Sequence, residues 1–213
     1  MDYTAPNRDH SALLTIDVQN DFVLPGAPAE ILGSLEVLPA IRDLVRAFRE
    51  NEIPIVHVVR LYEPDGSNAE LCRRGLLEQG KPMVTPGSSG AELAADLKPN
   101  RDLRLNPPLL LSGALQEIGK REWIIYKPRW GAFYKTSLES HLRTLDVDTL
   151  VFAGCNFPNC PRTSIYEASE RDFKIVLVTD AVSGLYDQGI KEMANIGVNL
   201  MTAAQCGAVI NAE

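Results

Sequence analysis

The chain has 213 residues, a formal net charge of -7 and 45% hydrophobic residues. A chain of that length buries roughly 70% of the surface its unfolded form exposes, which is enough for one self-sufficient core. The composition excludes collagen-like, coiled-coil and disordered chains. The acidic balance argues against nucleic acid as the main partner, because phosphate neutralisation needs a basic face.

Residues 1–10 are polar, carry Asp2, Arg8 and Asp9, and lack the apolar stretch of a signal peptide, so they read as a tail. Apolar runs then alternate with amphipathic ones. The first run, Ala12 to Ile16, stops at Asp17. Ile41, Leu44, Val45 and Phe48 follow at helical spacing, with Arg42, Arg46 and Arg49 on the other side. Ile55 to Val59 is the second run and stops at Arg60. A long excursion over 61–121 holds Pro64, Gly66, Pro82, Pro86, Gly87, Gly90 and Pro107-Pro108. A loop of that length inside a domain is usually functional, as a lid or a subunit contact.

The third run, Trp123 to Tyr126, stops at Lys127, and Leu138, Leu142 and Leu145 repeat the helical pattern. Leu150 to Ala153 stops at Gly154, Ile175 to Val178 stops at Thr179-Asp180, and Val198 to Met201 is a weaker last run. Thr163 to Phe173 and Gly189 to Gly197 supply the intervening helices. Short, non-alternating runs rich in Val and Ile are strands buried on both faces, and strand–helix alternation means parallel pairing. The expected fold is therefore α/β. It is a three-layer αβα, Rossmann-like single domain over 1–213, with a mainly parallel six-stranded sheet. Ligands of such sheets bind beyond the carboxyl ends of the strands, where Asp17, Arg60, Lys127 and the loop Gly154 to Cys160 stand.

No run approaches the ~20 apolar residues needed to span a bilayer. The 4 cysteines (Cys72, Cys155, Cys160 and Cys206) are too few and scattered for a disulfide scaffold. A soluble cytoplasmic protein with reduced thiols is the expectation, with no membrane or nucleic-acid partner.

Cys160 is the candidate nucleophile. Pro161 suits the first turn of a helix, so Cys160 is placed at a helix start, where exposed N–H groups favour a thiolate and can hold an oxyanion. A small buried thiol is the equal alternative. Cys155, beside Gly154, reads as packing. A cysteine nucleophile needs a proton acceptor. His10 lies in the tail, His141 on an amphipathic helix and His57 inside a strand, so Asp17 is the better base, unless it merely caps a turn. Lys127 would steady a thiolate or oxyanion, or else form an ordinary ion pair. No GxGxxG, P-loop or GxSxG motif occurs.

Leu14-Thr15-Ile16-Asp17-Val18-Gln19-Asn20-Asp21-Phe22, then Tyr126-Lys127-Pro128-Arg129-Trp130-Gly131-Ala132-Phe133, then Gly154 to Cys160 with Thr163 and Val178-Thr179-Asp180-Ala181, stand in order at strand ends. Together with Pro86 to Leu93 they resemble the isochorismatase-like cysteine hydrolase superfamily, which includes nicotinamidases and several amidohydrolases. The resemblance covers roughly residues 11–205 and implies a catalytic triad of Asp17, Lys127 and Cys160. It also implies an oxyanion hole from the backbone N–H groups of Asn156 and Cys160, and a cis peptide bond at Cys155-Asn156. Such a bond costs about 3–4 kcal/mol. Phe22, Trp130, Phe133 and Phe157 flank the motifs as candidate substrate-binding residues, with core packing as the alternative. Arg60 and Arg129 are candidates for a substrate carboxylate.

The implied activity is hydrolysis of a C–N bond in a small amide, ureido, carbamoyl or lactam substrate through a thioester. The alternatives are vinyl ether hydrolysis without covalent catalysis and a non-catalytic small-molecule-binding protein. Phe157-Pro158-Asn159-Cys160-Pro161 departs from the family's usual surroundings of the nucleophile. The histidines of the nicotinamidase metal site are missing, so neither a metal nor a cofactor is expected. A homodimer or homotetramer is the expected assembly.

Overall fold

The computed structural model describes residues 2–212. The strands are β1 (Ser11–Ile16), β2 (Ile55–Val59), β3 (Gln116–Gly119), β4 (Glu122–Tyr126), β5 (Thr149–Gly154), β6 (Lys174–Val182) and β7 (Asn199–Met201). The helices are α1 (Asn20–Val23), α2 (Ser34–Glu50), α3 (Leu71–Glu78), α4 (Pro107–Leu111), α5 (Leu138–Thr144), α6 (Cys160–Ser169), α7 (Asp187–Asn195) and α8 (Ala203–Ile210). The strands form one sheet in the order β3-β4-β2-β1-β5-β6-β7. Every pairing is parallel except β3 with β4.

Six strands are those expected from the apolar runs; the sheet has a seventh, which corrects the expected six. Its sequence, Gln-Glu-Ile-Gly, is half-buried and exposed at the sheet edge and so carries no apolar run. It lies within the long excursion and pairs Gln116 with Ile124 of β4.

Apolar side chains cover both faces, which gives the three layers. On one face Leu13, Val151, Ala153 and Val178 pack against Ile41, Val45 and Phe48 of α2 and Cys206 and Ile210 of α8. On the other, Leu14, Ile16, Val58 and Phe152 pack against Leu138 of α5, Ile165 of α6 and Met193 of α7. The excursion builds its own apolar cluster from Leu61, Leu77, Met83, Leu93 and Leu110 against Ile124.

His57 is fully buried, as its place inside a strand implies, with Nδ1 2.7 Å from Thr15 Oγ1 and Nε2 2.8 Å from Glu122 Oε1. Burial works to raise the Glu122 carboxyl, but hydrogen bonds from Arg49 and His57 win and hold it down at about 2.

Successive connections run outward from β1 in opposite directions, to β2 on one side and β5 on the other. The crevice at that reversal is where ligands of parallel sheets bind. Ile16 and Gly154, the last residues of β1 and β5, are register partners there. Gly154 has φ +123°, and a Cβ on it would stand 2.2 Å from Ile16 O, so only glycine lets these two ends meet.

Candidate active site

Three strand ends and one helix start converge on this crevice. Asp17 follows β1 with φ 53°, a left-handed backbone that few non-glycine residues adopt. The turn is held by Asp17 N–H donating to Val58 O at 2.9 Å and Gln19 N–H donating to Asp17 O at 2.8 Å. Lys127 follows β4, with its N–H donating to Val59 O at 3.0 Å. Cys160 is the first residue of α6, and Pro161 stands in its first turn, as the sequence implies.

Lys127 is the hub. Its Nζ lies 2.9 Å from Asp17 Oδ2 and 3.3 Å from Cys160 Sγ, and also donates to Arg129 O at 3.2 Å. The Lys127, Asp17 and Cys160 side chains are all buried. Burial disfavours the Lys127 charge, yet Asp17, and then Cys160, outweigh it and hold the ammonium above its ordinary value. Asp17 Oδ1 is buried and has no hydrogen-bond partner.

The expected lowering of the Cys160 thiol by the helix start is not met. Burial, and next the charge of Asp17, push the thiol up, and Lys127 only partly offsets them.

The peptide bonds among the described residues are all trans, Cys155-Asn156 included, which corrects the cis bond implied by resemblance. Cys155 N–H donates to Ile16 O at 2.8 Å, and Phe157 N–H to Ser183 O at 2.7 Å. The intervening Asn156 N–H and the Cys160 N–H have no acceptor among the described residues. Unsatisfied amides beside a thiol are donors of the kind an oxyanion requires.

Asp17, Lys127, Asn156 and Cys160 line one cleft, together with Phe22 and Trp130. Phe133 and Phe157 do not reach it, a correction to their expected role. Phe133 is buried with its ring 5.8 Å from Phe173, and its N–H is held by Glu167 Oε2 at 2.8 Å. Phe157 is fully buried and meets Tyr186 edge-on at 5.5 Å. Adjacency in sequence to a motif does not decide which side of the loop a ring takes. Gly131 sits against Glu167 so closely that a Cβ would fall 2.2 Å from its carboxyl, so α6 clamps the Trp130 loop through glycine.

Arg60 lines the cleft but is tied down. It is 2% exposed, pairs with Glu70 at 3.1 Å and donates through Nη1 to Lys127 O at 2.9 Å. Burial opposes its charge, but Tyr62 and Glu70 more than compensate and hold its pKa above the ordinary value. Arg129 lies outside the cleft, with Nη1 donating to Asn68 O at 3.0 Å and Pro128 O at 2.6 Å.

Sequence reasoning missed Ile31, Tyr62, Arg73 and Asn159, which also line the cleft, and read Cys155 as packing alone. Tyr62 and Arg73 belong to the excursion, whose irregular sequence carries no period to place them. Among the described residues no three His, Cys, Asp or Glu side chains gather as a metal site, and no helix is long and apolar enough to cross a membrane.

The isochorismatase domain family matches residues 11–106 and 112–205. The chain belongs to the isochorismatase family. A probable inactive nicotinamidase of Arabidopsis thaliana is 32% identical, over 91% of this chain and 92% of its own. Maleamate amidohydrolase of Pseudomonas putida is 26% identical, over 80% of this chain and 71% of its own. The crystal structure of an isochorismatase family protein from Desulfovibrio vulgaris superposes with a TM-score of 0.80 at 33% identity, covering 95% of this chain and 99% of that one.

Proposed function

We propose that this isochorismatase-family protein is a cysteine-dependent hydrolase that cleaves the C–N bond of a small amide, ureido, carbamoyl or lactam compound. The observation that carries the reading is one buried ammonium, Lys127 Nζ, within 2.9 Å of Asp17 and 3.3 Å of Cys160. The amidohydrolase named among its relatives supports the same bond class.

Asp17 takes the thiol proton as Cys160 Sγ attacks the carbonyl carbon. The oxygen gains the negative charge and is met by the N–H groups of Asn156 and Cys160. Collapse breaks the C–N bond, and the amine leaves with the proton that Asp17 had taken. A thioester remains on Cys160. Water then attacks it, giving a proton to Asp17; the C–S bond breaks, the acid departs and the thiol is re-formed with that proton. Lys127 keeps its charge throughout and offsets whichever anion, carboxylate or thiolate, is present.

The Arabidopsis relative, a probable inactive nicotinamidase, favours a second reading, a binding protein without turnover. An amide and urea library assayed for ammonia or amine release separates the two. Release that disappears in Cys160→Ala supports the hydrolase. Binding without release, in a library that a control amidohydrolase consumes, supports the alternative.

A further inference from the structure

Arg73 is the one guanidinium lining the cleft that has no counter-charge among the described residues. The other charges there are matched: Lys127 is paired with Asp17 at 2.9 Å and Arg60 with Glu70 at 3.1 Å. Glu70 Oε2 also accepts from Tyr62 Oη at 2.7 Å, so it is not free for Arg73 one turn further along α3. Arg73 has neither an ion pair within 4.0 Å nor a side-chain hydrogen bond to another described residue, although the chain as a whole is acidic.

Its position is nonetheless defined. The guanidinium carbon lies 5.9 Å from the centre of the Trp130 ring, a cation–π distance, and Trp130 belongs to the loop that follows Lys127. Tyr62 lines the same cleft. A half-buried arginine that stacks on an aromatic ring and leaves its N–H fork unused presents five donors in the geometry of a carboxylate. Phe22, Ile31 and Trp130 supply apolar lining to the same cleft, which Arg73 and Cys160 both line.

We propose that Arg73 is a specificity-determining residue that binds a carboxylate on the substrate, so that the substrates are small amides or ureas bearing a second, anionic carboxyl group. The proposal rests on the hydrolase reading above for the identity of the amide end. It moves the carboxylate contact from Arg60, whose N–H groups are already engaged, and from Arg129, which lies outside the cleft, to a residue of the excursion. The excursion's role at the site is then recognition.

The test uses the full chain and matched probes: succinamate against butanamide, glutaramate against pentanamide, and 3-ureidopropanoate against propylurea. Hydrolysis is followed by ammonia release in the wild type, and binding by calorimetry in Cys160→Ala. The expected result is that the carboxylated member of a pair is favoured by about 10- to 100-fold, the range of a charge-assisted bidentate contact. Arg73→Gln removes that preference by lowering the carboxylated member's kcat/KM toward that of its neutral partner, and Arg73→Lys keeps part of it.

Equal treatment of the two members of each pair, a preference that survives Arg73→Gln, or no binding of any carboxylated probe overturns the inference. Carboxylate-selective binding without ammonia release sinks the hydrolase reading alone. Release without carboxylate selectivity sinks the Arg73 inference alone.

Discussion

Glu70→Gln perturbs the site's supporting framework without touching Asp17, Lys127 or Cys160. Glu70 is 5% exposed and Arg60 2% exposed, and their ion pair spans 3.1 Å. Glutamine keeps the shape but removes the charge. Its amide would also turn a donor toward Arg60 Nε, Arg60 Nη2 or Tyr62 Oη, all of which now use the carboxylate as acceptor. An unpaired buried charge costs about 3–5 kcal/mol. For a chain of this size each kcal/mol moves Tm by roughly 2–4 °C, so the expected fall is about 6–20 °C. Thermal unfolding followed by circular dichroism measures it.

The loss depends on pH in a set direction. Burial works to raise the Glu70 carboxyl, but Arg60 outweighs it and holds it below its ordinary value of 4.5. A lowered folded-state pKa gives stability that is present above 4.5 and is lost as pH falls toward the folded value. The gap between wild type and Glu70→Gln therefore narrows below that pH. Arg60→Met combined with Glu70→Gln recovers part of the loss, because the orphaned charge is gone. A Tm within 2 °C of wild type, or a double variant no more stable than Glu70→Gln, would refute the reasoning.

Lys127→Met leaves Asp17, 4% exposed, beside the thiol with no counter-charge, so kcat/KM on any discovered amide falls by at least about 100-fold in steady-state assays. Gly154→Ala places a Cβ 2.2 Å from Ile16 O at φ +123°, and the separation of the β1 and β5 ends costs at least about 3 kcal/mol, read as a lower denaturation midpoint.

The strands that carry Asp17 and Lys127 were legible because buried parallel strands are written as unbroken apolar runs, and each of these runs stops at the polar residue that lines the cleft. Asp17 and Lys127 are such stops, and Pro161 marks the helix start that places Cys160. β3 escaped because an edge strand half in water needs no apolar run. Tyr62 and Arg73 escaped for a different reason. They reach the cleft through long-range packing of the excursion, in which α3 is a short helix carrying Arg73 and Leu61, Leu77 and Met83 pack with Ile124, and no local period encodes that path. The rings of Phe133 and Phe157 show the converse limit. Both lie next to motif residues, and both spend their apolar area on the core instead. The burial and the Asp17 charge that push the Cys160 thiol up were not legible either, because the fold adds both to the helix start that Pro161 marks.

The central claim is covalent catalysis by Cys160. Rapid acid quench of wild-type protein with a turned-over amide, followed by peptide mass spectrometry, tests it most directly, with hydroxylamine added in parallel to intercept the acyl group. The account predicts the acyl mass on the peptide containing Cys160, formation of the hydroxamate, and loss of both in Cys160→Ala. Turnover that yields neither adduct nor hydroxamate, or that persists in full in Cys160→Ala, would contradict it.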